Sequence, residues 1–273
     1  MSAIAELATL QPIATEESIL LREDQDGVAT LTLNRPRQYN TLSEAMLAAL
    51  QTELDQIATD STIRVVVLAA NGKAFCAGHD LKEMRLQPNQ AYYTDLFKRC
   101  SRMMLSLNQL PQPVIARVQG LATAAGCQLV AACDLTVAVK TARFATSGIN
   151  VGLFCATPAV SVSRNVPRKQ ALEMLLTGEF IDAETARQWG LVNRVVLEEE
   201  LDQAVQEWVE TILSKSFVAV SMGKQMFYKQ LEMGLSHAYQ YASEVMAGNM
   251  MAEDAGEGID AFIQKRPPEW RHR

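Results

Sequence analysis

Residues 120–134 read GLATAAGCQLVAACD, and this stretch decides how the rest of the sequence is interpreted. It follows an apolar run at 114–118, interrupted only by Arg117, which is typical of a strand covered on both faces. Small residues then lead into a helical pattern at 124–133. Because the first turn of a helix has unpaired N–H groups and the positive end of the dipole, we expect exposed backbone donors at this turn.

A second strand-to-helix turn lies earlier in the chain, at residues 75–81 (FCAGHDL), after the apolar run at 64–70. Its small residues at positions 77 and 78 permit close approach of the backbone to a ligand. If one N–H group from each turn points at the same carbonyl oxygen, an enolate there is stabilised by roughly 3–4 kcal/mol per donor. From spacing alone, the alternative is that both are simply tight turns of an α/β domain.

Strands and helices alternate through the first two thirds of the chain, which predicts an α/β fold with parallel pairing. Short strands are predicted at 18–22 and 28–33, buried strands at 64–70, 114–118 and 135–139, and helices near 46–57, at 92–107 and at 124–133.

After about residue 198 the pattern is helical throughout. Helices are predicted at 201–213, 218–231 and 235–251, with a break at Gly256 and Gly258 before a short helix at 259–264. The predicted organisation is a flexible tail at 1–17, an α/β core at 18–197, and a helical C-terminal region at 198–273. An all-helical region of this kind is expected to mediate oligomerisation and to close a pocket.

Composition excludes several classes of protein. The net charge of −6 leaves no basic excess, so nucleic-acid binding is not expected. No run of about 18 apolar residues is present, so no membrane span is expected. Residues 1–17 contain three glutamates and no lysine or arginine, which fits neither a secretory signal nor a mitochondrial presequence. We therefore expect a cytoplasmic protein.

No metal site is expected, because the three histidines are far apart in sequence and none has a ligand partner four residues on. The five cysteines form no CxxC pair, which favours reduced, buried thiols.

The two turns carry a family resemblance. Residues 75–84 (FCAGHDLKEM) resemble the motif F-x-A-G-x-D-L/I of the crotonase (enoyl-CoA hydratase/isomerase) superfamily, and residues 120–134 are similar to its second motif, G-x-A-x-G-G-G-x-E-L-x-x-x-C-D. The order and spacing of the family's motifs hold from about residue 18 to 268, and they look most like the branch of enoyl-CoA hydratase domain-containing proteins. The resemblance implies a spiral of ββα turns with two sheets, a helical C-terminal region, and trimers that often pair into hexamers.

The resemblance also implies the ligand and its contacts. An acyl-CoA thioester is the expected partner, with coenzyme A as part of the substrate and no permanently bound cofactor. Its thioester oxygen is expected between the backbone N–H groups of His79 and Ala125. The resemblance assigns the coenzyme A side to Arg37, Ala77, Asp80, Leu81 and Lys265, with Lys265 reaching the ligand of a neighbouring subunit. For Arg37 and Lys265 the alternative is a solvated surface charge.

Both glutamates that a hydratase of this family uses are replaced, by Gln128 and Gly148. Each lost acid–base group is expected to lower the rate by about 10² to 10⁴, with less than additive effect. Cys155, near the place where some relatives have a catalytic aspartate, acts as an acid or nucleophile only if its pKa is lowered. The alternative for Cys155 is a small buried residue without a catalytic role. The His79 imidazole is a separate candidate, as a base.

Three functions remain open. The first is an acyl-CoA enzyme of hydratase/isomerase type with weak or altered chemistry. The second is a non-catalytic acyl-CoA binder or sensor, and the third is a protein that assembles through its helical region and keeps a vestigial pocket.

Overall fold

The computed structural model describes residues 18–273, so the predicted flexible tail at 1–17 lies outside the described residues. In chain order the strands are β1 (Leu20–Gln25), β2 (Val28–Leu33), β3 (Val65–Ala70), β4 (Ala74–Cys76), β5 (Val114–Val118), β6 (Leu121–Thr123), β7 (Leu135–Val139), β8 (Arg143–Ala145), β9 (Ile181–Asp182) and β10 (Arg194–Val196). The helices are α1 (Glu44–Ile57), α2 (Leu81–Leu86), α3 (Gln90–Gln109), α4 (Ala125–Ala132), α5 (Ala156–Asn165), α6 (Arg168–Thr177), α7 (Ala183–Gln188), α8 (Leu201–Leu213), α9 (Phe217–Leu231), α10 (Leu235–Met250) and α11 (Glu253–Gln264).

The larger sheet has six strands in the order β1-β2-β3-β5-β7-β10. β1 and β2 are antiparallel, and every later neighbour pairs in parallel. All six residues of β3 are buried, as expected for a strand covered on both faces. The prediction of an α/β fold with parallel pairing is confirmed.

A second, four-stranded sheet in the order β4-β6-β8-β9 has no signal of its own in the sequence, because each of its strands is three residues long or shorter. β4, β6 and β8 pair in parallel, and β8 pairs antiparallel with β9. This sheet brings the two predicted turns together, because β4 leads into the first turn and β6 into the second.

The helical C-terminal region is confirmed, with one correction. The predicted break at Gly256 and Gly258 is wrong, since α11 runs through both glycines. A Cβ atom on Gly258 would come within 3.0 Å of the Trp270 ring. Gly258 therefore provides space for the C-terminal segment to pack against the helix, which does not break there.

A buried ion pair attaches the C-terminal region to the core. The Nζ atom of Lys224, on α9, lies 2.7 Å from the Asp134 carboxylate and donates hydrogen bonds to the carbonyls of Leu107 and Gln112. Asp134 also accepts hydrogen bonds from the Val114 amide and the Tyr228 hydroxyl.

Of the helices in residues 18–273, none is long and apolar enough to cross a membrane.

Candidate active site

The two predicted turns lie against each other. Cys76 of β4 pairs with Ala122 of β6, so the chain leaves both strands at the same edge of the second sheet. A Cβ atom on Gly126 would come within 1.9 Å of the Cys76 carbonyl oxygen, and one on Gly78 would lie 3.1 Å from the Ala125 nitrogen. Glycine at both positions therefore permits the close approach of the two backbones.

The amides of His79 and Ala125 are free donors. Ala125 is the first residue of α4, so its N–H group has no partner within the helix. His79 follows Gly78, whose φ of +89° is in the left-handed region and whose carbonyl accepts a 2.8 Å hydrogen bond from the Leu42 amide. Within the described part of the chain, neither the His79 nor the Ala125 amide donates a hydrogen bond. Two unused backbone donors thus come from two adjacent turns.

Ala124, between β6 and α4, is strained. Its φ of 51° and ψ of −121° are unfavourable for a residue with a side chain, and such a conformation costs about 1–3 kcal/mol. A 3.0 Å hydrogen bond from its amide to the Ala145 carbonyl helps to hold it there. The backbone conformation of Ala124 therefore determines the direction in which the N–H group of Ala125 points.

A cavity of about 590 Å³ opens at these turns. Of the ten residues that the sequence assigns to the site, eight line it: Arg37, Ala77, His79, Asp80, Leu81, Ala125, Gly148 and Cys155. Gln128 and Lys265 do not. Lys265 ends α11 on an exposed surface, with a φ of 56°.

One end of the cavity is apolar. Met84, Phe97, Val151 and Leu153 line it, and all four also line a second cavity of about 330 Å³. The two cavities are therefore contiguous, and together they are large enough for an extended, partly apolar ligand.

Asn40 positions the cavity rim, and the sequence gives no sign of this role. The Asn40 side chain is fully buried and donates to the carbonyls of Asn71 (2.9 Å) and Ala74 (2.8 Å). Its Oδ1 atom accepts a 2.8 Å hydrogen bond from the Arg35 amide. These bonds hold the segment that carries Arg37 against the start of β4. An asparagine in a turn is ordinarily exposed, so its burial appears only in three dimensions.

Asp80 has a local structural role. Its carboxylate caps α2 by accepting hydrogen bonds from the amides of Lys82 (3.1 Å) and Glu83 (3.3 Å). Glu83 is half-buried, and its carboxylate accepts a 2.8 Å hydrogen bond from the Glu44 amide, at the start of α1. Glu83 therefore links α2 to the start of α1.

The two positions at which the family resemblance implies a glutamate, 128 and 148, differ in their surroundings. Gln128 is buried within α4, and its Oε1 atom has no hydrogen-bond partner among residues 18–273. A Cβ atom on Gly148 would come within 2.5 Å of the Leu153 carbonyl oxygen and 2.8 Å of the Cys155 sulfur. The site therefore has no room for a carboxylate side chain at position 148.

Burial favours the neutral forms of both titratable candidates, the His79 imidazole and the Cys155 thiol. It lowers the pKa of the His79 imidazole, an effect that the backbone of Leu42 opposes more weakly, and the ring packs edge-on against Phe97 at 5.5 Å. Burial also raises the pKa of the Cys155 thiol, which the backbone of Gly148 opposes more weakly. The lowered pKa that would make Cys155 a ready thiolate is therefore absent, and the thiol is protonated at neutral pH.

All five cysteines are free and buried. Between residues 18 and 273, no cluster of three His, Cys, Asp or Glu side chains is arranged to hold a metal ion.

Comparison with known proteins gives consistent matches. The family model described as enoyl-CoA hydratase/isomerase matches residues 23–273. Enoyl-CoA hydratase domain-containing protein 3 of Rattus norvegicus is 46% identical over 258 residues, covering 94% of this chain and 86% of that protein. Its Homo sapiens counterpart is 47% identical over 247 residues, covering 90% and 82%.

Solved structures of similar proteins have the same fold as this chain. A crystal structure of enoyl-CoA hydratase from Mycobacterium smegmatis has a TM-score of 0.92 and 58% identity, covering 93% of this chain and 99% of that chain. The crystal structure of human enoyl coenzyme A hydratase domain-containing protein 3 has a TM-score of 0.90 and 46% identity, covering 93% and 100%.

The expectation of a cytoplasmic protein is wrong, because the rat and human relatives are both named mitochondrial. That expectation relied on the lack of arginine in residues 1–17, and the charge of this short stretch does not determine the compartment.

Proposed function

Because this chain belongs to the enoyl-CoA hydratase/isomerase (crotonase) family, in the branch of enoyl-CoA hydratase domain-containing protein 3, we propose that it binds an acyl-CoA thioester whose carbonyl oxygen accepts hydrogen bonds from the amides of His79 and Ala125. The observation that carries this proposal is the pair of unused amides on two touching turns, both at residues that line the 590 Å³ cavity. Backbone donors of this kind stabilise an oxygen that gains negative charge, as in an enolate.

The remaining cavity residues suit the two ends of such a ligand. Arg37 and Lys82 provide positive charge for the phosphates of coenzyme A. Met84, Phe97 and Leu153 offer an apolar surface for the acyl chain. No permanently bound cofactor is part of the proposal.

The proposed chemistry is of hydratase/isomerase type but weak or altered, because the cavity has an enolate-stabilising pair of donors and lacks both usual carboxylates. A non-catalytic acyl-CoA binder is the alternative, and the lack of room at Gly148 favours it specifically. Loss of the conjugated absorbance of a panel of trans-2-enoyl-CoAs distinguishes the two. Turnover above that of a Gln128→Ala variant supports an enzyme, and saturable binding without turnover supports the binder.

The amide pair is tested with proline. Ala125 is the first residue of α4, where a helix accepts proline, so Ala125→Pro removes one donor. Because proline also restricts Ala124, whose φ of 51° and ψ of −121° are not extended, the variant is used only if its circular dichroism and unfolding midpoint show that it folds. Gln90→Pro is the matched control, since Gln90 is the exposed first residue of α3 and follows Asn89, which is already extended (φ −138°, ψ 153°). Calorimetry with butyryl-CoA is expected to show binding by the wild type and Gln90→Pro and much weaker binding by Ala125→Pro. Equal affinity of all three would contradict the proposed site, and no binding by the wild type would contradict the proposed function.

We further propose that the protein is a homotrimer or a dimer of trimers. In the described single chain, no apolar residue of α9 or α10 is buried, and large apolar side chains are exposed on α10, on α11 and between them, including Leu235 (76%), Met251 (86%) and Phe262 (85%). Monomers rarely expose an apolar surface of this extent. Sedimentation of the wild type and of Phe262→Asp tests this proposal: the wild type should be trimeric or hexameric and the variant smaller. A monomeric wild type would contradict it.

A further inference from the structure

The smaller cavity, of about 330 Å³, lies next to the 590 Å³ cavity. Five apolar side chains line both of them, namely Leu81, Met84, Phe97, Val151 and Leu153. The two cavities therefore open into each other, and a ligand in the larger one has an apolar space into which it can extend. The volume of the smaller cavity alone lies within the range of ligand pockets, roughly 300–1,000 Å³.

The other walls of the smaller cavity are suited to a hydrocarbon group. Among residues 18–273, only Arg85 and Tyr93 add polar side chains to its lining. The Tyr93 hydroxyl already donates a 3.1 Å hydrogen bond to the Met84 carbonyl. Arg85 is exposed, and a long side chain of this kind covers apolar surface with its stem while the guanidinium stays in water. The smaller cavity therefore favours an apolar group over a polar one.

The opening between the cavities lies beside the residue that is proposed to hold the thioester carbonyl. The His79 ring packs against Phe97 with their centroids 5.5 Å apart, and Phe97 lines both cavities. Arg37 and Lys82, the cations assigned to the phosphates of coenzyme A, line only the larger cavity. A ligand whose carbonyl lies at the His79 and Ala125 amides thus has its phosphates in the larger cavity and its acyl chain next to the opening.

We propose that the smaller cavity holds the distal carbons of the acyl chain, so that the preferred ligands are medium-chain acyl-CoAs over short-chain ones. This inference depends on the proposed function, because the chain enters the smaller cavity only if the thioester carbonyl lies at the two amides. A short chain leaves the apolar walls of the smaller cavity without contact partners, and a longer chain supplies them. Each methylene group that is removed from water strengthens binding by about fourfold.

Isothermal titration calorimetry with butyryl-CoA and octanoyl-CoA tests the proposal. Wild-type protein is expected to bind octanoyl-CoA on the order of 10- to 200-fold more tightly, where the upper value corresponds to complete burial of the four additional methylene groups. The heat-capacity change of binding should also be more negative with octanoyl-CoA, because more apolar surface is buried. Equal affinities for the two ligands would overturn the proposal and leave the acyl-CoA site intact, whereas no binding of either ligand would contradict both.

Val151→Asp shows where the additional affinity arises. Val151 lines both cavities and is itself exposed, so the substitution puts a charge on the path of the chain without burying it in the core. The ratio of octanoyl-CoA to butyryl-CoA affinity should fall to about threefold or less, since the chain no longer gains from apolar walls.

Val160→Asp is the matched control, because Val160 is exposed on α5 and lines neither cavity. It should keep the wild-type ratio of affinities, and circular dichroism verifies that both variants fold. A wild-type ratio in Val151→Asp would show that the chain lies elsewhere and would overturn the proposal. A ratio that falls equally in both variants would contradict it as well.

Discussion

The sulfur of Cys155 lies 2.8 Å from the place where a Cβ atom on Gly148 would stand, and the Leu153 carbonyl oxygen lies 2.5 Å from the same point. The first contact is with a side-chain atom, whereas the second is with the backbone, which cannot rotate away. The local backbone therefore excludes a side chain at position 148, where the family resemblance implies a glutamate.

Gly148→Glu is expected to destabilise the protein by roughly 1–3 kcal/mol, the usual cost of overpacking, and to leave crotonyl-CoA unhydrated. Thermal unfolding and the enoyl absorbance assay measure the two effects. Gly223→Glu is the control, because a Cβ atom at Gly223, on α9, meets nothing within 4 Å. A Gly148→Glu variant as stable as the wild type and active as a hydratase would show that position 148 does accept a carboxylate.

Gly126→Ala is expected to cost more, roughly 3 kcal/mol or above, because the new methyl group would meet the Cys76 carbonyl oxygen at 1.9 Å. The contact is between the two turns, so acyl-CoA binding should be lost along with stability. Chemical denaturation measures the change. Gly256→Ala, at an open position of α11, should instead stabilise the protein by about 0.5–1 kcal/mol. Equal effects of the two substitutions would rule out the close approach.

Much of this fold can be predicted from local sequence, because the buried strands of the larger sheet are long enough for their apolar composition to be recognised. The runs at 65–70, 114–118 and 135–139 have no polar interruption beyond single residues, and each forms a strand of the larger sheet. The second sheet escapes prediction from local patterns, because strands of two or three residues have no measurable period, and only the family resemblance implies it.

The site residues likewise divide into those that local sequence reveals and those that it does not. The glycines at 78 and 126 are visible in sequence because they stand in motifs. The role of Asn40 is not, since its partners at Asn71 and Ala74 are more than thirty residues away. The contact between Cys155 and Gly148 likewise depends on how the loop between β8 and α5 folds back, which no local pattern specifies.

Ala124→Gly is expected to stabilise the protein by about 1 kcal/mol. Alanine at a φ of 51° is strained, and glycine adopts such a conformation without a Cβ penalty, although its greater freedom in the unfolded chain offsets part of the gain. Urea denaturation measures the difference. Ala132→Gly, at the other end of α4, should destabilise the protein, as glycine usually does in a helix. If Ala124→Gly also destabilises, the strain at this turn is not relieved by losing the methyl group.

Lys224→Met is expected to destabilise the protein by roughly 3–5 kcal/mol, because it leaves the Asp134 carboxylate buried without its cation. The two carbonyls of Leu107 and Gln112 lose their donor as well. Lys98→Met, on the exposed face of α3, makes the same chemical change without these contacts and should alter stability by less than about 0.5 kcal/mol. Similar unfolding midpoints for the two variants would show that the buried pair does not hold α9 on the core.

Acid is expected to release the C-terminal segment at 269–273 before the core unfolds. Burial alone would raise the pKa of Asp254, but hydrogen bonds from the Ser216 side chain and from the amides of Arg271 (2.7 Å) and His272 (3.0 Å) together lower it. A carboxylate whose pKa is lower in the folded state contributes its full stability above the ordinary aspartate value of 3.8 and loses it as the pH falls through the folded value. The segment should therefore stay bound at pH 5 and begin to lose this stabilisation only as the pH falls below 3.8.

Trp270 reports this release, because its indole N–H donates a 2.8 Å hydrogen bond to the Ser214 carbonyl and its ring packs on Gly258. Fluorescence during acid titration of a Trp189→Phe/Trp208→Phe variant isolates its signal. Asp254→Asn should show the exposed-indole signal already at neutral pH, since the amide cannot provide the charge that holds the two backbone donors. If the fluorescence of the parent variant changes only together with the far-ultraviolet circular dichroism, the segment is not an independent unit and Asp254 acts on the whole fold.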